Sequence, residues 1–404
     1  MEILVKTLTL EEIQHAIDQV SLYGGGRVFL PEGICLLQNA IQMRSGVRLE
    51  GVPGKTILKK LPSTSARIKG YLGYGHYEVR VHEPAKFSRG MGIYIYDEQA
   101  GGFYTTTATI LDIVGDRLYI DQMLNHDYSE ERGGTVVTVH PLVSFRGVRH
   151  ASIAHLVLDG NLEEEPNHIN GCRGGNVYML MSHDITVEHV EVKNFNGDGI
   201  SFQQCTDVRV RQSFIHHNAG HGLHPGSGSV RYWLLENKIT HNQQCGIFYC
   251  LRTTHSLCAH NVIENNGSEG ISLGERDTHH LIQKNKIASN GSCGIYFRPS
   301  QFPADYTEII ENEISDNCTA QGKAQITICS SPKFIQIARN SLSSKEGLLS
   351  IEGNPSELYI SNNQPEIYPG ARPGVHHEEV KLPVGPEVAG PDSARHLNVL
   401  LTTL

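Results

Sequence analysis

From Asn194 to Asn340 the chain repeats one short phrase: Gly followed by Ile or Leu, a few strand-forming residues, then a second apolar stretch closed by Asn. The Gly pairs are Gly199-Ile200, Gly222-Leu223, Gly246-Ile247, Gly270-Ile271 and Gly294-Ile295. Two columns of Asn accompany them at spacings of 24 to 28 residues: Asn218, Asn242, Asn266, Asn290 and Asn317, and Asn237, Asn261, Asn285, Asn312 and Asn340. A period of this size, carried by short β-type segments, predicts a solenoid, because one such unit cannot bury its apolar face until a neighbour stacks on it.

Composition agrees with many short strands and tight turns: 39% apolar residues, 41 Gly and 17 Pro. The formal charge of -9 and the lack of any basic run argue against a nucleic-acid partner. Nine Cys occur with no Cys-x-x-Cys pair, so a zinc ribbon is not expected, and the Cys within the repeats read as small buried filler. The first residues lack the apolar core of a signal peptide, and no stretch approaches ~20 apolar residues. The expectation is a protein without a membrane partner, either cytoplasmic or secreted with its signal removed.

Four regions follow. Residues 1–60 form an N-terminal cap and first coils, with an amphipathic helix whose Ile13, Ala16, Ile17 and Val20 share a face and whose Thr9 and Glu12 make a capping box. Residues 61–145 break the rhythm. Gly90 to Asp97 and Ala108 to Asp121 alternate apolar and polar residues as antiparallel hairpins do, which predicts a small β insertion. Residues 146–345 carry the coils, and 346–404 are irregular last coils and a tail rich in Pro, Gly and His.

The opening helix, the segment Gly24 to Gly33 (Gly-Gly-Gly-Arg-Val-Phe-Leu-Pro-Glu-Gly) and the Asn-laddered coils resemble the pectin-lyase-like superfamily. The resemblance implies an all-β, right-handed, single-stranded parallel β-helix with a capping helix. That superfamily holds polysaccharide lyases, hydrolases and epimerases as well as phage tailspikes, so the reaction has to be argued from the site.

Side chains alternate across a strand, so aligning the coils sorts them by face. Ile200, Leu223, Ile247, Ile271 and Ile295 fall inward. Outward lies a column of Tyr178, Ser201, His224, Phe248, Ser272 and Tyr296, and beside it Gln203, Gly226, Cys250, Gly274 and Arg298. Arg252, Glu275, Arg276 and Asp277 follow the strand ends. Aromatic side chains on a polar ledge suit sugar rings, and Gly positions leave room for a ligand to approach the backbone.

Three motifs stand out on this face. Asn196 to Ser201 places Asp198 in the turn entering a strand, as an acid, a base or a holder of a partner. Gly220 to Ser229 sets His221 and His224 among four glycines, and an imidazole titrating near neutrality suits proton abstraction. Gly270 to His279 offers Glu275 and Asp277, which read equally as a salt-bridged corner, with oxygen-ligated Ca²⁺ as the one cofactor to consider. The segments Gly-Asp-Gly-Ile and Gly-His-Gly-Leu, which carry Asp198 and His221, are similar to two motifs of polygalacturonase-type hydrolases. The run from His221 to Gly226 is similar to the Tyr-Gly-Phe-Asp-Pro-His segment of alginate epimerases, with His224 where that family has Asp and Gly226 where it has His.

The outer columns offer base, donor and guanidinium groups but no carboxylate. This favours a lyase or C5-epimerase of a uronate-containing polymer, with His224 abstracting the C5 proton. Arg298 or Arg252 would neutralise the substrate carboxylate, Tyr296 or Tyr178 would donate a proton, and Gln203, Phe248, Glu275 and Asp277 would line the groove. An inverting glycoside hydrolase using Asp198 with Asp277 or Glu275 is the alternative. It needs carboxyl groups ~6.5–9.5 Å apart, whereas three coils at ~4.8 Å each put these roughly 14 Å apart. A non-catalytic glycan-binding β-helix, monomeric or trimeric, is the third reading.

Overall fold

The computed structural model describes residues 1–162, 169–367, 373–378, 380 and 382. Much of the tail within 346–404 therefore lies outside the described residues. Three long parallel sheets form the solenoid. One of 13 strands runs from Glu2–Leu4 to Val375–His376; two of ten strands run from Gly33–Leu37 to Ser341–Ser343 and from Ile41–Gln42 to Leu349–Ile351. Each complete coil gives one strand to each sheet, the 13-stranded sheet having additional strands at the ends of the stack, and the coils turn at single left-handed residues such as His217 (φ 55°), His241 (φ 56°) and Asn265 (φ 57°). That conformation costs a side-chain-bearing residue on the order of 1 kcal/mol. Stacking between equivalent residues offsets it: the His217 and His241 rings lie 5.0 Å apart and nearly parallel.

The interior is a continuous column of inward side chains from successive coils, among them Ile200, Phe202, Leu223, Ile247, Tyr249, Ile271, Ile295 and Phe297, all fully buried. The Asn columns supply the polar counterpart. Asn218 Nδ2 donates to Asn242 Oδ1 at 2.9 Å, and the pattern repeats through Asn266, Asn290 and Asn317, where Gln325 Oε1 receives the last amide at 2.7 Å. The second ladder runs from Asn237 to Asn340 and continues to Asn363. Each amide also serves backbone groups of adjoining coils, so buried turn polar groups find partners within the stack.

The helix Leu10–Leu22 begins at Thr9, whose side chain accepts from Glu12 N, and buries Ile13, Ala16, Ile17 and Val20. It packs on the first strands, Gly26–Phe29, Ile41–Gln42 and Val47–Glu50. Between Ser65 and Val137 the chain leaves the solenoid for a six-stranded antiparallel sheet and a two-stranded one. They have their own core around Ile68, Val79, Ile93, Ile95, Ile110, Leu118, Tyr128 and Val136. This sheet stands beside the groove and braces the loop that covers it.

Candidate functional site

The register of the outward column is Tyr178 beside Ser201, Ser201 beside His224, Phe248 beside Ser272, and Ser272 beside Tyr296. Its centre is an ion pair across two coils. Asp198 enters the strand Ile200–Gln203, His224 lies on the next strand, Leu223–Gly226, and His224 Nδ1 meets Asp198 Oδ2 at 2.6 Å. The other carboxylate oxygen accepts from His221 N at 2.8 Å. Both residues are nearly sealed, Asp198 1% and His224 5% exposed.

Burial alone would push the Asp198 carboxyl up, but neighbouring His221 and His224 outweigh it and hold the group at about 2. Burial disfavours charge on His224 as well, and the hydrogen bond and charge of Asp198 overcome it, raising the imidazole to about 10. The pair is therefore an imidazolium–carboxylate at neutral pH. His224 Nε2 has no hydrogen-bond partner. The Cys250 thiol faces the imidazole and adds to the raising of His224.

What seals the pair is the loop from Asn170 to Asn176. Asn170 Oδ1 accepts from Cys172 N at 2.9 Å, and Arg173 N and Gly174 N turn back to Asn170 O. The antiparallel insertion holds the loop from the far side: Asn170 N donates to Tyr94 Oη at 3.2 Å and Arg173 Nε to Phe103 O at 3.0 Å. Gly171 has to be glycine, since a Cβ there would lie 1.9 Å from Asp198 Oδ2 and 2.3 Å from His224 Nδ1. Gly220 is constrained from the opposite side, with Asp198 Oδ1 at 2.1 Å from its would-be Cβ.

Several candidates take different places from those their outward register implied. Tyr178 is fully buried beneath the loop, its hydroxyl donating to Cys172 O at 2.7 Å. Gln203 is also buried, with Nε2 on Ser201 Oγ at 3.1 Å, while Ser201 donates to Gly171 O at 2.6 Å. Asp277 does not lean over the groove. Its carboxylate is buried and accepts from Thr253 N, Thr253 Oγ1 and Gly274 N, with burial raising it to about 6. Glu275 pairs with its neighbour Arg276 at 3.4 Å, and Arg252 is exposed in its turn. Tyr296 keeps its place in the column, but three strand spacings from His224 amount to roughly 14 Å.

Arg298, from a coil equally far along, reaches back. It crosses Gly274, where a Cβ would meet Nη2 at 1.9 Å, and donates to Ser272 Oγ (2.8 Å), Tyr249 O (2.6 Å) and Cys250 O (3.1 Å). Its guanidinium lies 4.2 Å from the Phe248 ring centre, and His221 stacks on that ring at 4.2 Å and 7°. His221, Phe248 and Arg298 thus make a half-buried shelf beside the ion pair. Cys172 and Cys250 are the groove residues that the repeat alone did not single out. Their signal was the Gly171-Cys172-Arg173-Gly174-Gly175 run ahead of a strand, and the outward register of Cys250.

A family model described as "Right handed beta helix region" matches residues 151–257, and one described as "Periplasmic copper-binding protein (NosD)" matches residues 233–368. Among solved structures, the chain is similar to the Azotobacter vinelandii mannuronan C-5 epimerase AlgE6 A-module (TM-score 0.56, 16% identity, covering 93% of each chain). The chain has the pectin-lyase-like parallel β-helix fold. The AlgE4 A-module of the same organism is similar at TM-score 0.55 and 17% identity, covering 94% of this chain and 95% of that one. The Dettilon tailspike protein is similar at 0.52 and 12%, over 87% of this chain and 58% of that one. No curated protein matches the sequence.

At such identities these likenesses concern the fold. Among the described residues no group of three or more His, Cys, Asp or Glu is arranged to hold a metal ion. Among the same residues no helix is long and apolar enough to cross a membrane.

Proposed function

We propose that this β-helix, its coils winding right-handed as parallel crossovers overwhelmingly do, acts on a carboxylate-bearing polysaccharide as a lyase or C5-epimerase. The observation that carries the reading is the buried Asp198–His224 pair with its unpartnered Nε2. Asp198 fixes the ring and raises its basicity, so the form lacking the Nε2 proton is a strong base aimed into the groove. Arg298, anchored by three hydrogen bonds on the Phe248 shelf and by the buried Asp277 carboxylate at 3.7 Å, is a preorganised guanidinium to which the uronate carboxylate would come as a second anion. Neutralising that carboxylate makes the C5 proton acidic enough to remove. With Phe248 held between His221 and Arg298, the outer face of the His221 ring is the one on which a sugar ring would stack.

The bracing of the Asn170–Asn176 loop by the insertion supports its serving as a cover that opens for substrate and excludes water once closed. The hydrolase reading has less support, because Asp198 is committed to two histidines and Asp277 is sealed in its turn. The similar solved structures include proteins named mannuronan C-5 epimerases, so mannuronan is the first polymer to test, followed by pectate and glycosaminoglycans. Incubation in heavy water with NMR detection of deuterium at C5, together with ultraviolet absorbance of a C4=C5 unsaturated end, tests the reading. Reducing ends appearing without either signal would instead mark hydrolysis.

A further inference from the structure

The outward column that carries His224 continues past the covering loop toward the N-terminal end. Ser144 lies beside Tyr178, and Gln42 beside Ser144. There the antiparallel insertion stands against the coils and closes a cavity of about 310 Å³. Gln42, Ser144 and Arg146 line it from the coils, Thr107, Thr109 and Asp121 from the insertion. None of these residues has a part in the chemistry above.

The two walls are tied together. Asn39 Nδ2 donates to Thr109 Oγ1 at 3.0 Å, and Gly92 N donates to Gln38 O at 3.0 Å. Glycine permits that approach, since a Cβ at position 92 would lie 2.4 Å from Asn39 Oδ1 and 2.8 Å from His140 Cβ. The cavity is thus preformed, and two groups in it have binding capacity to spare. Ser144 is 2% exposed, and its Oγ has no hydrogen-bond partner. Arg146 is held over the Tyr178 ring at 5.4 Å and donates from Nη2 to Thr107 Oγ1 at 3.0 Å. It makes no ion pair among the described residues, whereas Arg44 at the cavity edge is committed to Asp18 at 2.7 Å. Asp121 is fixed through one carboxylate oxygen, which accepts from Thr109 N at 2.6 Å.

We propose that this cavity is a second carboxylate-binding subsite, which takes a further uronate residue of the same acidic polysaccharide. Arg146 receives the carboxylate in its fork, and Ser144 and Asp121 bind ring hydroxyls. A neutral sugar would make no use of the guanidinium, and a simple anion none of Asp121. The subsite rests on the polysaccharide reading above and adds a length requirement to it. Ser144 is three strand spacings from His224, roughly 14 Å, so a chain held at both places spans several sugar rings and lies across the covering loop.

The test is isothermal titration calorimetry of the full chain with a mannuronan decasaccharide, the disaccharide, and the decasaccharide with its carboxyls reduced to alcohols. Wild type should bind the decasaccharide at least about tenfold more tightly than the disaccharide, and lose that advantage with the reduced chain. Arg146→Ala should lower decasaccharide affinity about tenfold without changing the melting temperature, because Arg146 is exposed. Asp121→Ala should weaken binding too; if Arg146 acted only as a diffuse positive charge, removing a nearby carboxylate would strengthen it. Wild type binding the decasaccharide while Arg146→Ala binds it equally, or Asp121→Ala more tightly, would overturn the subsite and leave the site at His224 standing. Wild type binding no decasaccharide of mannuronan, pectate or a glycosaminoglycan would overturn the reading on which the subsite rests.

Discussion

Replacing Asp198 with Asn keeps the shape of the side chain and removes its charge. The amide oxygen can still accept from His221 N, but His224 loses its counter-ion in a site where 1% and 5% exposures exclude water. Raising His224 from 6.5 to about 10 corresponds, at about 1.4 kcal/mol per pH unit, to a coupling on the order of 5 kcal/mol. Loss of one partner of a buried pair costs about 3–5 kcal/mol. The sign gives the pH window. His224 has a raised folded-state value, so its contribution is complete below 6.5 and fades as pH rises through about 10. Asp198 has a depressed one, so its contribution is complete above 3.8 and fades as pH falls through about 2. Urea unfolding of wild type and Asp198→Asn should therefore show a gap of about 3–5 kcal/mol near pH 5.5 that narrows markedly by about pH 9.5. In parallel, NMR of the imidazole C–H protons should place His224 near 10 in the wild type and well below that in the variant, where burial is no longer opposed by the Asp198 charge. An equal gap at both pH values, or a wild-type His224 titrating near 6.5, would refute the ion-pair argument.

Other parts of the molecule make separate predictions. Asn261→Ala strips partners from Asn237 N, Asn237 Nδ2 and Leu234 O at once. It should cost roughly 2–6 kcal/mol in urea unfolding, at about 1–3 kcal/mol for each of Asn237 N and Leu234 O, since Asn237 Nδ2 keeps Val210 O. Gly171→Ala drives a methyl into Asp198 and His224, so the loop should lift. Faster hydrogen exchange at Cys172 and Gly174, with little change in the coils, is the expected readout by mass spectrometry. If His224 removes the C5 proton, kcat/KM should rise with pH from neutrality toward about 10, measured as deuterium uptake at C5.

Much of the architecture was readable because the repeat encodes it locally. Period and strand alternation together place Ile200, Leu223 and Ile247 in one inward column and His224, Phe248 and Ser272 in one outward column, and the ladders follow the Asn spacing. Burial was not readable in the same way. Tyr178 and Gln203 have the outward register but lie under a loop whose path depends on contacts with Tyr94 and Phe103, some 70 residues earlier in the chain. Sharing a column also says nothing of reach. Tyr296 stays about three strand spacings from His224, while the longer Arg298 folds back over Gly274 to the carbonyl of Cys250. The Asp198–His224 contact needed Asp198 on the turn of one coil and His224 on the strand of the next, a geometry set by the stack and by glycine at positions 171 and 220.

The measurement closest to the centre of this account is C5 hydrogen exchange on mannuronan in heavy water, run with wild type, His224→Gln and Arg298→Ala. Deuterium at C5 with the wild type, with or without chain cleavage to unsaturated ends, and its loss by at least about a hundredfold in His224→Gln are the predicted result. Arg298→Ala should weaken the rate mainly through carboxylate recognition. Hydrolytic ends without C5 label on any uronate polymer, or exchange that persists undiminished in His224→Gln, would contradict it.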